Sequence, residues 1–167
     1  LLTLPALQFP AMEDLDSKSS LKISCSDFAR IVEYTNFAMS TEETRYNLNG
    51  IYMHVKGNEF AGVATDGHRL AKTELEISSS VLIEGIILPR KFILQLDKIL
   101  GDFEGKVKIV CSDTQVSFEA DNFIIISKLI DGKFPDYGKV IPVSNDKFLE
   151  IETEPFFNAI DRISTVN

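Results

Sequence analysis

The feature that most constrains this chain is a pattern of elements written twice. "LKISCS" (21–26) alternates like a short strand. "SDFARIVEYTNFAMS" then places Phe28, Ile31, Val32, Thr35, Ala38 and Met39 at helical spacing, with Ser26 or Asp27 as the expected N-cap. Three strands should follow. "LNGIYMHV" sets Ile51, Met53 and Val55 against Tyr52 and His54, and "KGNE" offers a Gly-Asn turn into "FAGVAT". "RLAKTELEI" puts Ala71, Thr73, Leu75 and Ile77 on one face and Leu70, Lys72, Glu74 and Glu76 on the other.

The order then recurs. "VLIEGIIL" reads as a strand, and "PRKFILQLDKIL" as a helix with Pro89 at its start and Gly101 at its end. "KVKIVCS", "QVSFEA" and "FIIISKLI" supply three strands separated by "DT" and "DN" turns, and Phe28 aligns with Phe92 at a shift of 64 residues. Two βαβββ units predict an α+β fold, with two antiparallel sheets outside and two helices packed together inside.

A longer period is also present. "LPALQFPAM" resembles "LIDGKFPDY" at a separation of 125 residues, and each precedes a polar linker, a strand and a helix, the second time as "FLEIETEPFFNAI" from 148. The expected organisation is the tail of one domain and a linker (1–20), a complete domain (21–143) and the opening strand and helix of another (144–167). Duplicated domains, not solenoid units, have periods of this size.

Composition narrows the function. A net charge of −8 excludes a protein that grips nucleic acid over its whole surface, though not one with a local basic stripe. The longest apolar runs, "VLIEGIILP" and "FIIISKLI", are too short to span a bilayer, and the first residues suggest no secretion signal. Cys25 and Cys111 form no CxxC or Cys/His cluster, which fits two reduced thiols in a cytosolic protein.

The chemistry-bearing stretch is "VATDGHRLA". An Asp-x-His pair on a turn could orient a general base, making Asp66 and His68 the residues of an enzymatic reading. No motif places a nucleophile beside them, and no phosphate-cradling glycine loop or set of metal ligands is visible. Asp66-Gly67 is equally a turn dipeptide, with Gly supplying positive φ and Asp bonding the local backbone. A second candidate is the face formed by Lys91, Gln95 and Lys98 at i, i+4 and i+7 with Arg90 at the helix start, which is either a solvated face or a cationic surface.

Four motifs, "RYNLNGIYMHV", "VATDGHRLA", "ILPRKFILQL" and "SKLIDGKFPDYGKVIP", together resemble the central domain of the bacterial DNA polymerase III beta subunit, the replicative sliding-clamp family. The resemblance implies the DNA clamp (processivity) fold, with three such domains per protomer and two protomers closed head to tail around duplex DNA. It implies a non-catalytic processivity factor without cofactor or metal, located in the bacterial cytoplasm at the nucleoid. Its implied partners are replicative and translesion DNA polymerases, the clamp loader, and mismatch-repair and ligase-type proteins.

In that family the loop walls a hydrophobic pocket for short linear peptides. The matching residues here are Leu48, Thr65, Gly67, His68, Arg69, Leu70, Pro135 and Val140, with Lys139 replacing an arginine and losing its planar fork. The resemblance places Arg45, Tyr46, Arg90, Lys91, Gln95 and Lys98 toward DNA. Glu42 and Asn47 depart from the pattern of some relatives near DNA. A peptide anchored by two or three apolar side chains gains roughly 1.5–3 kcal/mol for each one buried. After ordering costs, affinity on the order of micromolar is expected. The alternatives are a peptide-binding module unrelated to replication and the Asp66/His68 enzyme.

Overall fold

The computed structural model describes Pro5 and residues 18–78, 81, 83–100, 103–120 and 122–165. The Phe9-Pro10 repeat motif, the Gly101 helix stop and Asp121 of the "DN" turn lie outside the described residues. The chain divides into two compact units, the first ending at Phe134 and the second beginning at Pro135.

In the first unit, β1 (Ser19–Ser24) runs directly into α1 (Cys25–Thr35). The helix is capped by Ser24, whose Oγ accepts the Asp27 N–H at 3.0 Å and donates to the Asp27 carboxylate at 2.6 Å. The cap therefore falls ahead of the expected Ser26 or Asp27, because no residue separates strand from helix and the first orphan amides lie over Ser24. The helix also ends sooner than its apolar spacing suggests. Buried Thr35 returns its hydroxyl to the Ile31 carbonyl at 2.6 Å, and Asn36–Ala38 continues as a 3-10 turn.

A kinked 3-10 segment (Glu43–Leu48) leads into the meander β2 (Gly50–Lys56), β3 (Glu59–Thr65) and β4 (Leu70–Glu76). Lys56 pairs with Glu59 across the predicted Gly-Asn turn, where Gly57 has φ 59°. The second repeat gives β5 (Ile83–Pro89), α2 (Arg90–Leu100), β6 (Lys106–Cys111), β7 (Gln115–Ala120) and β8 (Phe123–Lys128). Pro89 closes β5 instead of opening α2.

Two four-stranded antiparallel sheets result, ordered β1-β6-β7-β8 and β4-β3-β2-β5. The leading strand of each repeat thus joins the other repeat's sheet: Leu21 pairs with Ile109, and Ile51 with Leu88. Alternation assigns a strand's faces but not its neighbour, so the sequence pattern did not reveal this exchange.

Between the sheets and helices lies one apolar core. Phe28 of α1 and Phe92 of α2, the pair related by the 64-residue shift, both meet Phe118 edge-on, with centroids 4.9 and 5.4 Å away. On β4 the expected faces appear, with Ala71 and Leu75 buried and Lys72, Glu74 and Glu76 exposed. His54, on the face opposite Ile51, Met53 and Val55, is buried as well on the central strand β2, with the Tyr52 ring 5.4 Å away. Burial, followed by Lys56 and Lys72, lowers its pKa.

Cys25 and Cys111 are free, buried thiols, and burial pushes Cys111 up to about 11. No helix among the described residues is long and apolar enough to cross a membrane.

The second unit holds a 3-10 turn (Tyr137–Lys139) and α3 (Thr153–Ser164). The helix expected after 152 is present. The strand expected from Phe148 is not: residues 142–152 are irregular, and no described strand pairs with them. A lone extended segment has nothing to satisfy its backbone groups except water, so its alternating pattern alone does not make a strand.

Candidate functional site

The loop between β3 and β4 is built by its own side chains. The Thr65 hydroxyl donates to the Arg69 carbonyl at 2.7 Å and accepts the Gly67 N–H at 3.1 Å, closing the loop across its base. Asp66 Oδ1 accepts the backbone N–H groups of His68 and Arg69 at 2.9 and 3.0 Å, and Oδ2 takes the Arg69 Nε–H at 3.0 Å. Gly67 supplies φ 90°, which a side chain would disfavour.

The hydrogen bonds from the His68 and Arg69 amides, with the Arg69 guanidinium, hold the Asp66 carboxyl down at about 2. Asp66 is therefore an ionised structural acceptor. It binds the backbone of His68, not its imidazole, so the two side chains form no acid–base pair. Among the described residues, no three His, Cys, Asp or Glu side chains converge as metal ligands.

The loop presents Gly67, His68 and Arg69 outward, with Thr65 and Leu70 half-buried and Leu48 buried. Arg45, expected to face DNA, also reaches the loop: Nη1 donates to the Asp66 carbonyl at 3.3 Å, and Nε pairs with Glu42 at 3.3 Å. Tyr46 beside it is exposed, while Asn47 donates to the Lys133 carbonyl at 2.9 Å.

On α2, Phe92, Ile93, Leu96 and Leu100 are buried, leaving Lys91, Gln95 and Lys98 exposed along one face as their spacing requires. Arg90, at the helix start, is half-buried; its Nη1 donates to the Met39 carbonyl at 3.4 Å. In the second unit Pro135 and Val140 are exposed, and Lys139 pairs with Asp136 at 3.0 Å.

One juxtaposition escaped the sequence reading. A cleft of about 200 Å³ is lined by Phe37, Met39, Glu42, Asp66, His68, Arg69 and Arg90, with Ser40 and Thr41. It brings loop residues together with the first residue of α2. The Arg69 guanidinium lies 5.9 Å from the centroid of the exposed Phe37 ring. Phe37 falls outside the apolar spacing that runs from Phe28 to Met39 in sequence, and that misfit was the available signal.

The description "DNA polymerase III beta subunit, central domain" is matched by residues 22–136. The chain belongs to the DNA polymerase III beta subunit family. It is 42% identical to the beta sliding clamp of Rickettsia bellii over 99% of this chain and 45% of that protein. It is 40% identical to the beta sliding clamp of Caulobacter vibrioides over 98% of this chain and 45% of that protein.

A solved sliding clamp from Bartonella birtlesii, bound to griselimycin, superposes with TM-score 0.89 at 40% identity, covering 98% of this chain and 45% of that one. The Bacillus subtilis clamp gives TM-score 0.91 at 32% identity, over 98% and 43%. The fold is thus the clamp domain of this family, α+β with antiparallel sheets and packed helices. The chain spans less than half the length of these beta subunit relatives.

Proposed function

We propose that the chain works as part of a replicative sliding clamp, a processivity factor that encircles duplex DNA and catalyses no bond change itself. In this reading residues 21–143 form the central clamp domain. Residues 1–20 end a preceding domain, residues 144–167 begin a following one, and the intact protein closes as a head-to-tail homodimer. The exposed face of Lys91, Gln95 and Lys98 supports a weak, sequence-blind attraction to phosphates, which suits a protein that must slide. Enclosure rather than affinity holds the DNA, so the net charge of −8 is compatible with the task.

The single observation that carries the reading is the self-braced Thr65–Leu70 loop. Its hydroxyl, carboxylate and guanidinium are spent on the loop's own backbone and on each other, leaving a fixed wall rather than a reactive centre. With Leu48, Thr65, Gly67, His68, Arg69 and Leu70 we infer one wall of a pocket for short apolar-ended peptides. Replicative and translesion polymerases, the clamp loader, and mismatch-repair and ligase-type proteins would be its sources, in the bacterial cytoplasm at the nucleoid.

The test is fluorescence titration of this chain, within its intact clamp protomer, with a labelled Gln-containing peptide ending in Leu and Phe. Saturable binding on the order of micromolar is expected, weakened by His68→Ala with the fold unchanged. Absence of saturation would sink the pocket. Loss of a chemical turnover in His68→Ala would restore the enzymatic reading.

A further inference from the structure

We infer that Phe37 positions the Arg69 guanidinium, and that the group so held receives a carboxylate of the bound peptide. The inference rests on the peptide-pocket reading of the Thr65–Leu70 loop and adds a residue and a ligand chemistry that reading does not contain. Three observations carry it.

Arg69 is held on two sides and open on a third. Its Nε–H donates to Asp66 Oδ2 at 3.0 Å, and its Cζ lies over the Phe37 ring, 5.9 Å from the centroid. Among the described residues its two Nη groups have no acceptor, and the side chain is more than half exposed. A guanidinium tied through Nε and backed by a ring keeps its outer N–H pair in one orientation.

Phe37 is itself set by the core. Thr35 and Ala38 are fully buried on either side of it, so the 3-10 turn Asn36–Ala38 carries the ring outward, where it is more than half exposed. The hydrogen bonds of the loop fix its backbone and the Arg69 Nε. The face of the guanidinium is engaged by a residue just past the end of α1.

The third observation selects the ligand. The carboxylates that line the cleft are committed: Glu42 pairs with Arg45 at 3.3 Å, and Asp66 divides its oxygens among the His68 and Arg69 amides and the Arg69 Nε–H. The Nη pair is therefore open to a carboxylate from outside, which it can hold with two parallel N–H···O bonds. A peptide carbonyl offers one oxygen and would not distinguish an acid from its amide. At about 200 Å³ the cleft accommodates one acidic side chain.

The test is fluorescence titration of the intact clamp protomer with two labelled Gln-containing peptides ending in Leu and Phe. One carries Asp directly before the Leu, the other Asn. NMR of the Arg69 Nε–H accompanies it. The Asp peptide should bind about tenfold more tightly, the size of one charge-assisted hydrogen bond, and Arg69→Gln should abolish that preference. Phe37→Leu keeps apolar bulk and removes the ring face. It should cut the preference about two- to fivefold and move the Arg69 Nε–H resonance of the free protein, while Asn-peptide affinity changes little. Phe37→Tyr should restore both. With Arg69→Gln already present, Phe37→Leu should have no further effect on the preference.

Equal binding of the two peptides by the native protein, or an Asp preference that Phe37→Leu leaves intact, overturns the inference while the pocket stands. Binding of neither peptide removes the pocket and the inference together. Equal losses for both peptides in Phe37→Leu would make the ring part of the pocket's packing and overturn its positioning role. Phe37→Met, which also lacks the ring, serves should Phe37→Leu fail to give a native amide spectrum.

Discussion

Gly67→Ala tests whether the loop's shape is an imposed backbone conformation. Gly67 has φ 90°, and a Cβ built there would lie 2.8 Å from Arg45 Nη1. The second contact is with the far end of an exposed side chain and is relieved by a small swing. The first is not: an L-residue held at positive φ costs about 1–2 kcal/mol. If the loop keeps its form, the urea midpoint of the fold should fall by about 0.5–1 M. If it yields locally, the midpoint moves less and the His68 and Arg69 amides lose their hydrogen-exchange protection. In that second case a peptide that needs the native wall should bind up to roughly 5- to 30-fold more weakly, the factor corresponding to that energy. Gly67→Asn is the control, since Asn tolerates positive φ better than Ala and should show a smaller effect. The reasoning is refuted if Ala and Asn behave alike and neither midpoint, exchange nor affinity changes.

At Gly62 the constraint is space: a Cβ would meet Ile31 Cγ2 at 2.4 Å in a fully buried site, so Gly62→Ala should destabilise by about 1–3 kcal/mol in urea unfolding. Ile31→Ala should suppress part of that penalty in a double-mutant cycle. Ser24→Ala removes the acceptor for the Asp27 N–H and should cost about 1 kcal/mol by the same assay. Asp66 has its folded pKa depressed from 3.8 to about 2, so the loop's carboxylate contribution is fully present above about 4 and is lost as pH falls through about 2. A carboxyl carbon titration by NMR should place the Asp66 midpoint near 2, and a midpoint near 4 would contradict the amide hydrogen bonds.

The sequence was most legible where one local rule sufficed. "QVSFEA" is β7 over the same residues, Phe28 and Phe92 meet in the core, and Thr65–Leu70 is the expected strand-to-strand turn. It was misleading where a residue's surroundings come from elsewhere in the chain. His54 alternates against the apolar residues of β2 yet is buried on a central strand, and the Phe148 segment alternates with no described strand to pair it. Ser24 caps α1 because β1 leaves no linker, which spacing alone does not show. The cleft was hidden for the same reason: Phe37, His68 and Arg90 are tens of residues apart, and only the fold brings them to one place.

The exchange of leading strands explains why that place is well defined. Each three-stranded meander lacks its fourth strand until the other repeat supplies it, so the two repeats complete one another and should unfold together. β5, lent to the sheet of the first repeat, pairs with β2 from Gly50–Pro89 onward, and the Arg90 N–H continues the linkage to the Asn49 carbonyl at 2.9 Å. The start of α2 is thereby fixed to the sheet whose β3 and β4 carry the Thr65–Leu70 loop. The strands that carry the loop and the helix start thus share one set of backbone registers. A register slip in β2–β5 would invert the faces of β5 and carry Arg90 away from His68, whereas side-chain truncations on α2 would leave the spacing intact. Hence the separation between the loop and the helix start is a property of the paired repeats and would be lost if either repeat were expressed alone.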